Sequence, residues 1–131
     1  MLQPLAFRIS AAAGFLGVAL GAFGAHGLKD LLARHDTTAI WHTAVLYHLV
    51  HAVVMLGLAS GAVWRRGAWL FLLGGLLIFS GSLYVLAVTN LRQLGMVTPL
   101  GGVAFLLGWG TLVFQGLGRR AGAGQDAGGA H

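Results

Sequence analysis

The chain alternates long apolar runs with short polar connections. Four runs approach the ~20 residues that a helix needs to cross a bilayer, at about residues 9–25, 40–63, 68–89 and 99–118. Backbone N–H and C=O groups find no water in the hydrocarbon, so each run is expected to be helical. The pattern therefore predicts an all-α integral membrane protein with four spans.

The connections predict how the spans are arranged. Segments 64–67 and 90–97 are short, and short loops place consecutive helices antiparallel, which favours an up-down-up-down four-helix bundle. The segment from His26 to Ala39 is too polar to cross. One helical stripe of this segment holds Leu28, Leu31, Leu32 and His35, so it is either a short interfacial helix or a connecting turn.

The chain is accordingly interpreted as one transmembrane domain, residues 1–118, followed by a tail. Residues 119–131 are rich in Gly and Ala, and we expect them to form a flexible cytoplasmic tail. The fourth span is expected to start at Thr98-Pro99, with the threonine as its cap and the proline in the first helical turn.

Composition excludes an ordinary soluble domain. Only 8% of the residues are charged and 57% are hydrophobic, against about a quarter charged in soluble proteins. The mean hydropathy is +0.82. The 22 glycines and 2 prolines fit closely packed membrane helices. The absence of Cys removes disulfides, thiolate metal sites and cysteine nucleophiles together.

The net charge of +5 is spread in ones and twos between the apolar runs. This distribution is not typical of nucleic-acid binding, and it predicts membrane lipids with anionic headgroups as the partners of the basic residues. The side of the termini holds Arg8, Arg65, Arg66, Arg119 and Arg120, and the other side holds Lys29, Arg34 and Arg92. The excess predicts that both termini are cytoplasmic.

Glycines of the first span recur at steps of three and four, at Gly14, Gly17, Gly21 and Gly24. Such spacing lets two helix backbones approach closely, either within the chain or between two copies. Tryptophans lie mostly near the span ends, and we interpret them as interfacial anchors. They are Trp41, Trp64, Trp69 and Trp109.

The second span carries several polar aromatic side chains in its first half. At 1.5 Å per residue, His51 lies roughly 16 Å into the membrane, where an ionisable side chain needs a partner. His48 and His51 are one turn apart and share a face, whereas His42 points away, so this helix alone makes a poor three-histidine metal site. The alternatives are a neutral imidazole bonded to Ser80, Ser82, Tyr84 or a backbone carbonyl, a haem or metal ligand, and a proton or substrate contact.

Other chemistry finds little support. The acidic residues are Asp30, Asp36 and Asp126, and none lies in a span, which disfavours proton-coupled transport. A haem bound inside a helix bundle needs histidine ligands from two facing helices, and only His26 is available to pair with a histidine of the second span. We find no catalytic set, so an enzymatic role is disfavoured and no cofactor is predicted.

Four local runs are distinctive when taken in order. They are Gly21-Ala-Phe-Gly-Ala-His26-Gly-Leu, Thr43-Ala-Val-Leu-Tyr47-His-Leu-Val-His51-Ala, Ser80-Gly-Ser-Leu-Tyr84 and Leu94-Gly-Met-Val-Thr98-Pro99-Leu-Gly-Gly102. Together they resemble the domain-of-unknown-function family 423, the YgdD-like and transmembrane protein 256-like small membrane proteins. The resemblance covers about residues 9–117. It implies a four-helix bacterial inner-membrane protein and supplies no established activity.

The resemblance also implies that His26, Tyr47 and His51 are recurrent polar positions and that the position of His48 accepts glutamine. We therefore hypothesise an internal polar network on the side of the bundle opposite the termini. Its candidates are His26, Tyr47, His48, His51, Ser80, Ser82, Tyr84 and Thr98.

Three functions follow as hypotheses. The first is a non-enzymatic protein that acts by packing, through self-association or within a larger membrane complex. The second is a haem- or metal-binding redox protein that uses His26, His48 and His51. The third is a small-solute transporter or channel.

Overall fold

The computed structural model describes residues 2–128, and their side chains as far as residue 116. This part of the chain is helical, without strands. In order, the elements are α1 (Leu2–Ala25), α2 (Lys29–His35), α3 (Thr38–Ser60), α4 (Arg66–Gly75), a π-helical segment (Leu76–Ser80), α5 (Gly81–Thr89), a 3₁₀ segment (Arg92–Met96) and α6 (Thr98–Gly128). We call the rod from α4 through α5 the third span.

The four predicted spans are confirmed as helices long and apolar enough to cross a membrane. Their limits differ from the predicted ones. The helix α1 begins at Leu2, seven residues early, so Arg8 lies within it. The helix α6 continues to Gly128, ten residues beyond the predicted end of the fourth span. The predicted flexibility of residues 119–131 stays a prediction, and residues 129–131 lie outside the described part.

The segment between the first two spans contains the short helix α2. Its leucine stripe faces inward: Leu32 is fully buried, and Leu28, Leu31 and His35 are half-buried. Asp36 ends the helix in the left-handed conformation at φ 53°, and its N–H bonds back to carbonyls of the last turn. Asn90 ends α5 in the same way at φ 59°. Asp and Asn tolerate this conformation better than most residues, so both helices stop where the chain must turn.

The helices pack with the second and third spans at the centre. The helix α1 packs chiefly on α3, α6 packs chiefly on the third span, and α3 lies against the third span. Ala52, Met55, Leu72, Leu76 and Phe105 form much of the larger core cluster. A smaller cluster of Leu32, Trp41 and Ala87 fills the end of the bundle near α2.

Glycines create the closest approaches between the helices. Gly17, Gly21 and Gly24 of α1 face α3, and a Cβ on Gly24 would lie 2.0 Å from Nε1 of Trp41. Gly14, predicted with them, has open space instead. On the other side of the bundle, a Cβ on Gly101 of α6 would lie 2.3 Å from the backbone N of Phe79. The predicted small-residue face is therefore used within the chain by three of its four glycines.

Candidate functional site

Two histidines of α3 lie at the centre of the described spans, and both are buried. His48 is 4% exposed and His51 is 5% exposed. They were expected to share a face, but the structure places their side chains in separate contacts on two sides of α3. Three residues on an α-helix turn by about 300°, which leaves ~60° between the two side chains. In a helix with neighbours on both sides, that angle is enough to divide them.

His48 joins three helices. Its Nε2 lies 2.8 Å from the carbonyl oxygen of Ala13 in α1, and its Nδ1 lies 2.9 Å from the hydroxyl of Tyr84 in α5. A Cβ on Gly17 would lie 2.6 Å from Cδ2 of Leu49 and 3.3 Å from Cδ2 of His48. The missing side chain therefore makes room for both residues of α3.

The contacts of His48 also define its tautomer. A carbonyl oxygen only accepts, so Nε2 carries the proton and donates to Ala13. In the neutral ring Nδ1 is then an acceptor, and the hydroxyl of Tyr84 is its donor. Both ring nitrogens are satisfied by the protein, which removes the cost of burying an unpaired polar group.

His51 is held in a different way. Its Nδ1 donates to the carbonyl oxygen of Tyr47 at 2.7 Å, and its Nε2 accepts the indole N–H of Trp109 at 3.2 Å. The imidazole also stacks on Phe105, with the ring centroids 3.7 Å apart and the planes at 12°. The helices α3 and α6 are therefore connected by side chains at the depth of His51.

The hydroxyl candidates form two further contacts. Ser80, fully buried in the π-helical segment, donates to the carbonyl oxygen of Ala44 in α3 at 2.8 Å. Ser82 and Thr98 share a hydrogen bond of 2.7 Å, and Thr98 also lies 3.3 Å from the carbonyl oxygen of Leu94. Thr98 was expected to cap α6 by accepting hydrogen bonds from its first N–H groups. These two bonds of its hydroxyl are instead to Ser82 and Leu94.

The side chains of the remaining candidates take no part in these hydrogen bonds. Tyr47 packs its ring against Phe79, with centroids 4.5 Å apart, and is 40% exposed. His26 is exposed in the turn after α1. The structure thus divides the hypothesised single network into separate contacts. Most of these contacts, including the His48–Tyr84 pair and the His51–Trp109 pair, cross between helices.

Tryptophans supply contacts that the sequence analysis missed. Trp41 and Trp69 are buried, and their indole N–H groups donate to the carbonyl oxygen of Leu20 and the hydroxyl of Ser10 at 3.0 and 2.9 Å. Trp41 and Trp69 therefore join helices, and the interpretation of the tryptophans as interfacial anchors stays a prediction. The signal for the contact of Trp109 was its position well inside the fourth span, 11 residues after the start of α6.

The arrangement binds helices and offers little free chemistry. Among residues 2–116, every buried side-chain nitrogen and oxygen has a hydrogen-bond partner. No group of three or more His, Cys, Asp or Glu within that range is placed to hold a metal ion. A ligand at either central imidazole would have to displace a protein contact.

Comparison with known proteins places this bundle in a family. The family described as "Protein of unknown function (DUF423)" matches residues 20–102, which is more than half of the chain. The chain is a member of the DUF423 family. The match includes α2, α3, the third span and the start of α6, and hence both central histidines.

Curated members of the family are similar over most of their length. The UPF0382 membrane protein YwdK of Bacillus subtilis is 45% identical over 102 residues, which are 72% of this chain and 80% of YwdK. A UPF0382 membrane protein of Staphylococcus epidermidis is 43% identical, over 78% of this chain and 86% of its own. The UPF0382 inner membrane protein YgdD of Escherichia coli is 42% identical, over 79% and 82%. No solved structure matches.

These relatives are named as membrane proteins, and their names indicate no enzymatic role. Together with the four apolar helices, they show that this DUF423 chain is a membrane protein. The resemblance drawn from the four local runs is confirmed.

Proposed function

We propose that this chain is a non-enzymatic membrane protein that acts by packing, as a self-associating bundle or as an accessory subunit of a larger membrane complex. The observation that carries this proposal is the saturation of its buried polar groups within residues 2–116. A catalytic or ion-carrying interior needs groups left free for its substrate. Here the buried imidazoles and hydroxyls hold helices together.

The outer surface of α6 supports an association role. It presents Val103, Leu106, Val113 and Phe114, which are 54%, 72%, 60% and 74% exposed. Gly110 lies among them, and a Cβ there would meet nothing within 4 Å. A small residue flanked by large apolar ones lets a second helix approach closely.

The proposed location is the bacterial inner (plasma) membrane, with both termini in the cytoplasm and an up-down-up-down course. Gln3 of α1 donates to the carbonyl oxygens of Ala59, at the end of α3, and of Gly61, just beyond it. Trp41, near the start of α3, reaches Leu20 near the end of α1. These pairings support antiparallel neighbours, and the excess of Arg on the side of the termini supports the orientation.

Cross-linking in native membranes tests the association. The chain has no Cys, so a single Leu106→Cys substitution reports contact between two copies at the α6 surface. We expect a disulfide-linked dimer, and we expect the additional substitution Gly110→Leu to lower its yield. Leu46→Cys, at an exposed position on α3, should give a lower yield of cross-linked dimer than Leu106→Cys. The proposal is wrong if the purified chain carries haem or one metal per chain, or if it carries a solute flux that His51→Leu abolishes.

A further inference from the structure

A groove runs between α1 and the third span, and it consists of two consecutive depressions that share Ile9. The outer depression has a volume of about 90 Å³ and lies near the loop before α4, where Trp64 and Arg66 line it. The inner depression has a volume of about 360 Å³ and reaches Tyr84. The buried ring of Trp69 contributes to the outer depression, and its indole crosses to Ser10.

The inner depression is long and apolar. Its lining includes Ile9, Ala12, Leu16 and Leu20 on α1, Leu73, Leu77, Gly81 and Tyr84 on the third span, and His48 on α3. From Ile9 to Leu20 the helix rises roughly 16 Å, at 1.5 Å per residue. Its long axis therefore follows the helices and crosses much of the hydrocarbon, whose thickness is about 30 Å.

The outer end of the groove carries a positive charge. Arg66 lines the outer depression and is exposed, at the end of the groove that lies beside the loop between α3 and α4. Its neighbour Arg65 donates a hydrogen bond to the side-chain oxygen of Gln115. A guanidinium here suits a phosphate group, because its two parallel N–H donors can bind two of the phosphate oxygens.

We propose that this groove is a binding site for one phospholipid, with the phosphate at Arg66 and one acyl chain along the inner depression. The positive charge of Arg66 suits the phosphate at the outer end, and the length of the inner depression suits an acyl chain. An extended chain advances about 1.25 Å per carbon, given a C–C bond of about 1.52 Å and an angle near 111°. The inner depression thus accommodates about 13 carbons. The proposal depends on the bilayer location of the spans and is independent of the accessory role.

Gly81 gives the sharpest test of the site. A Cβ at Gly81 would meet nothing within 4 Å, so Gly81→Phe fills the inner depression without displacing a neighbour at its Cβ. Gly74→Phe is the matched control, because Gly74 lies in the same span, has the same open surroundings and does not line the groove. Ala12→Leu narrows the groove from α1, and Ala11→Leu, on the same helix outside the groove, is its control.

The measurement is native mass spectrometry of the full chain in detergent, titrated with palmitoyl-oleoyl phosphatidylglycerol. We expect one phospholipid retained per chain. Gly81→Phe and Ala12→Leu should lower retention about tenfold, since they remove the volume for the chain. Arg66→Gln should lower it about fivefold, and Arg8→Gln, which lines a separate depression with Gln3, should leave it unchanged.

Equal retention in the groove variants and their controls overturns the proposal. It is also overturned if Gly81→Phe changes only the mass of the oligomer, because the groove then receives a second copy of the chain. Circular dichroism of each variant shows whether it folds. If Gly81→Phe does not fold, the lipid retention of Ala12→Leu tests the site in its place. Loss of lipid without loss of the Leu106 cross-link leaves the packing role intact.

Discussion

The hydroxyl of Tyr84 donates a hydrogen bond of 2.9 Å to Nδ1 of His48 across the interface of α3 and α5. The other nitrogen of the same ring donates to the backbone of α1, at Ala13. One neutral imidazole thus couples three helices in a region where water is excluded. Loss of Tyr84 as a donor leaves Nδ1 unpaired, whereas loss of the imidazole affects both partners at once.

Tyr84→Phe should destabilise the bundle by about 1 kcal/mol, because it removes one hydrogen bond and leaves a buried acceptor. His48→Leu should cost more, and His48→Gln should cost less than His48→Leu because glutamine can still donate and accept. Unfolding in mixed micelles, titrated with denaturing detergent, measures these free energies. A double-mutant cycle of His48→Leu with Tyr84→Phe should give a coupling of roughly 0.6 to 1.7 kcal/mol.

Thr43→Val provides the control for this cycle. The hydroxyl of Thr43 bonds only to the carbonyl oxygen of Ala39 in its own helix and is exposed. We expect its loss to change the free energy of unfolding by less than about 0.5 kcal/mol. A coupling near zero between His48 and Tyr84 would show that the pair does not act as a unit.

Trp109→Phe should destabilise the contact between α3 and α6. It keeps an aromatic ring but removes the N–H that His51 accepts at 3.2 Å, at a cost of about 1 kcal/mol. His51→Leu should cost more, since it also removes the stacking on Phe105. Thermal aggregation of the detergent-solubilised variants ranks their stabilities. Unchanged stability in both variants would show that His51 does not stabilise the contact between α3 and α6.

Gly24→Ala should destabilise the pairing of α1 with α3. The added Cβ would lie 2.0 Å from Nε1 of Trp41, so the indole must move and its bond to Leu20 must lengthen or break. Overpacking of this kind costs about 1–3 kcal/mol. Gly14→Ala, with nothing within 4 Å, should leave the free energy of unfolding unchanged or slightly raise it. Similar losses in both variants would contradict the close approach at Gly24.

Single cysteines should report the orientation of the chain. Ala62→Cys lies in the loop between α3 and α4, and Gln93→Cys lies beyond α5, so each marks one side of the membrane. We expect an impermeant maleimide to label Gln93→Cys in intact spheroplasts and Ala62→Cys only after lysis. The reverse labelling would place both termini outside the cytoplasm.

Periodicity and hydropathy predicted the existence, type and order of the spans because a bilayer imposes them locally. Any run of about 20 apolar residues must satisfy its own backbone there. The leucine stripe around Leu32 left a short helix and a connecting turn open, and the structure shows the helix α2. The predicted start of the first span was wrong, because the residues that precede it, Gln3 and Arg8 included, continue the helix back to Leu2.

The candidate site was predictable in its residues and unpredictable in its pairing. His48, His51, Ser80 and Tyr84 stood out because polar side chains in apolar runs need partners. The position of Trp109, 11 residues after the start of α6, indicated that it lies well inside a span, but only the tertiary structure shows that it contacts His51.

The amino-acid sequence by itself determined that this chain is helical, membrane-embedded and a member of the DUF423 family. Tertiary structure alone decided that His48 and His51 serve separate interfaces, that Gly24 receives Trp41, and that a groove lies between α1 and the third span. The physical reason is the range of the interactions. The bilayer acts on each segment independently, whereas side-chain partners and cavities depend on how the helices rotate and pack against one another.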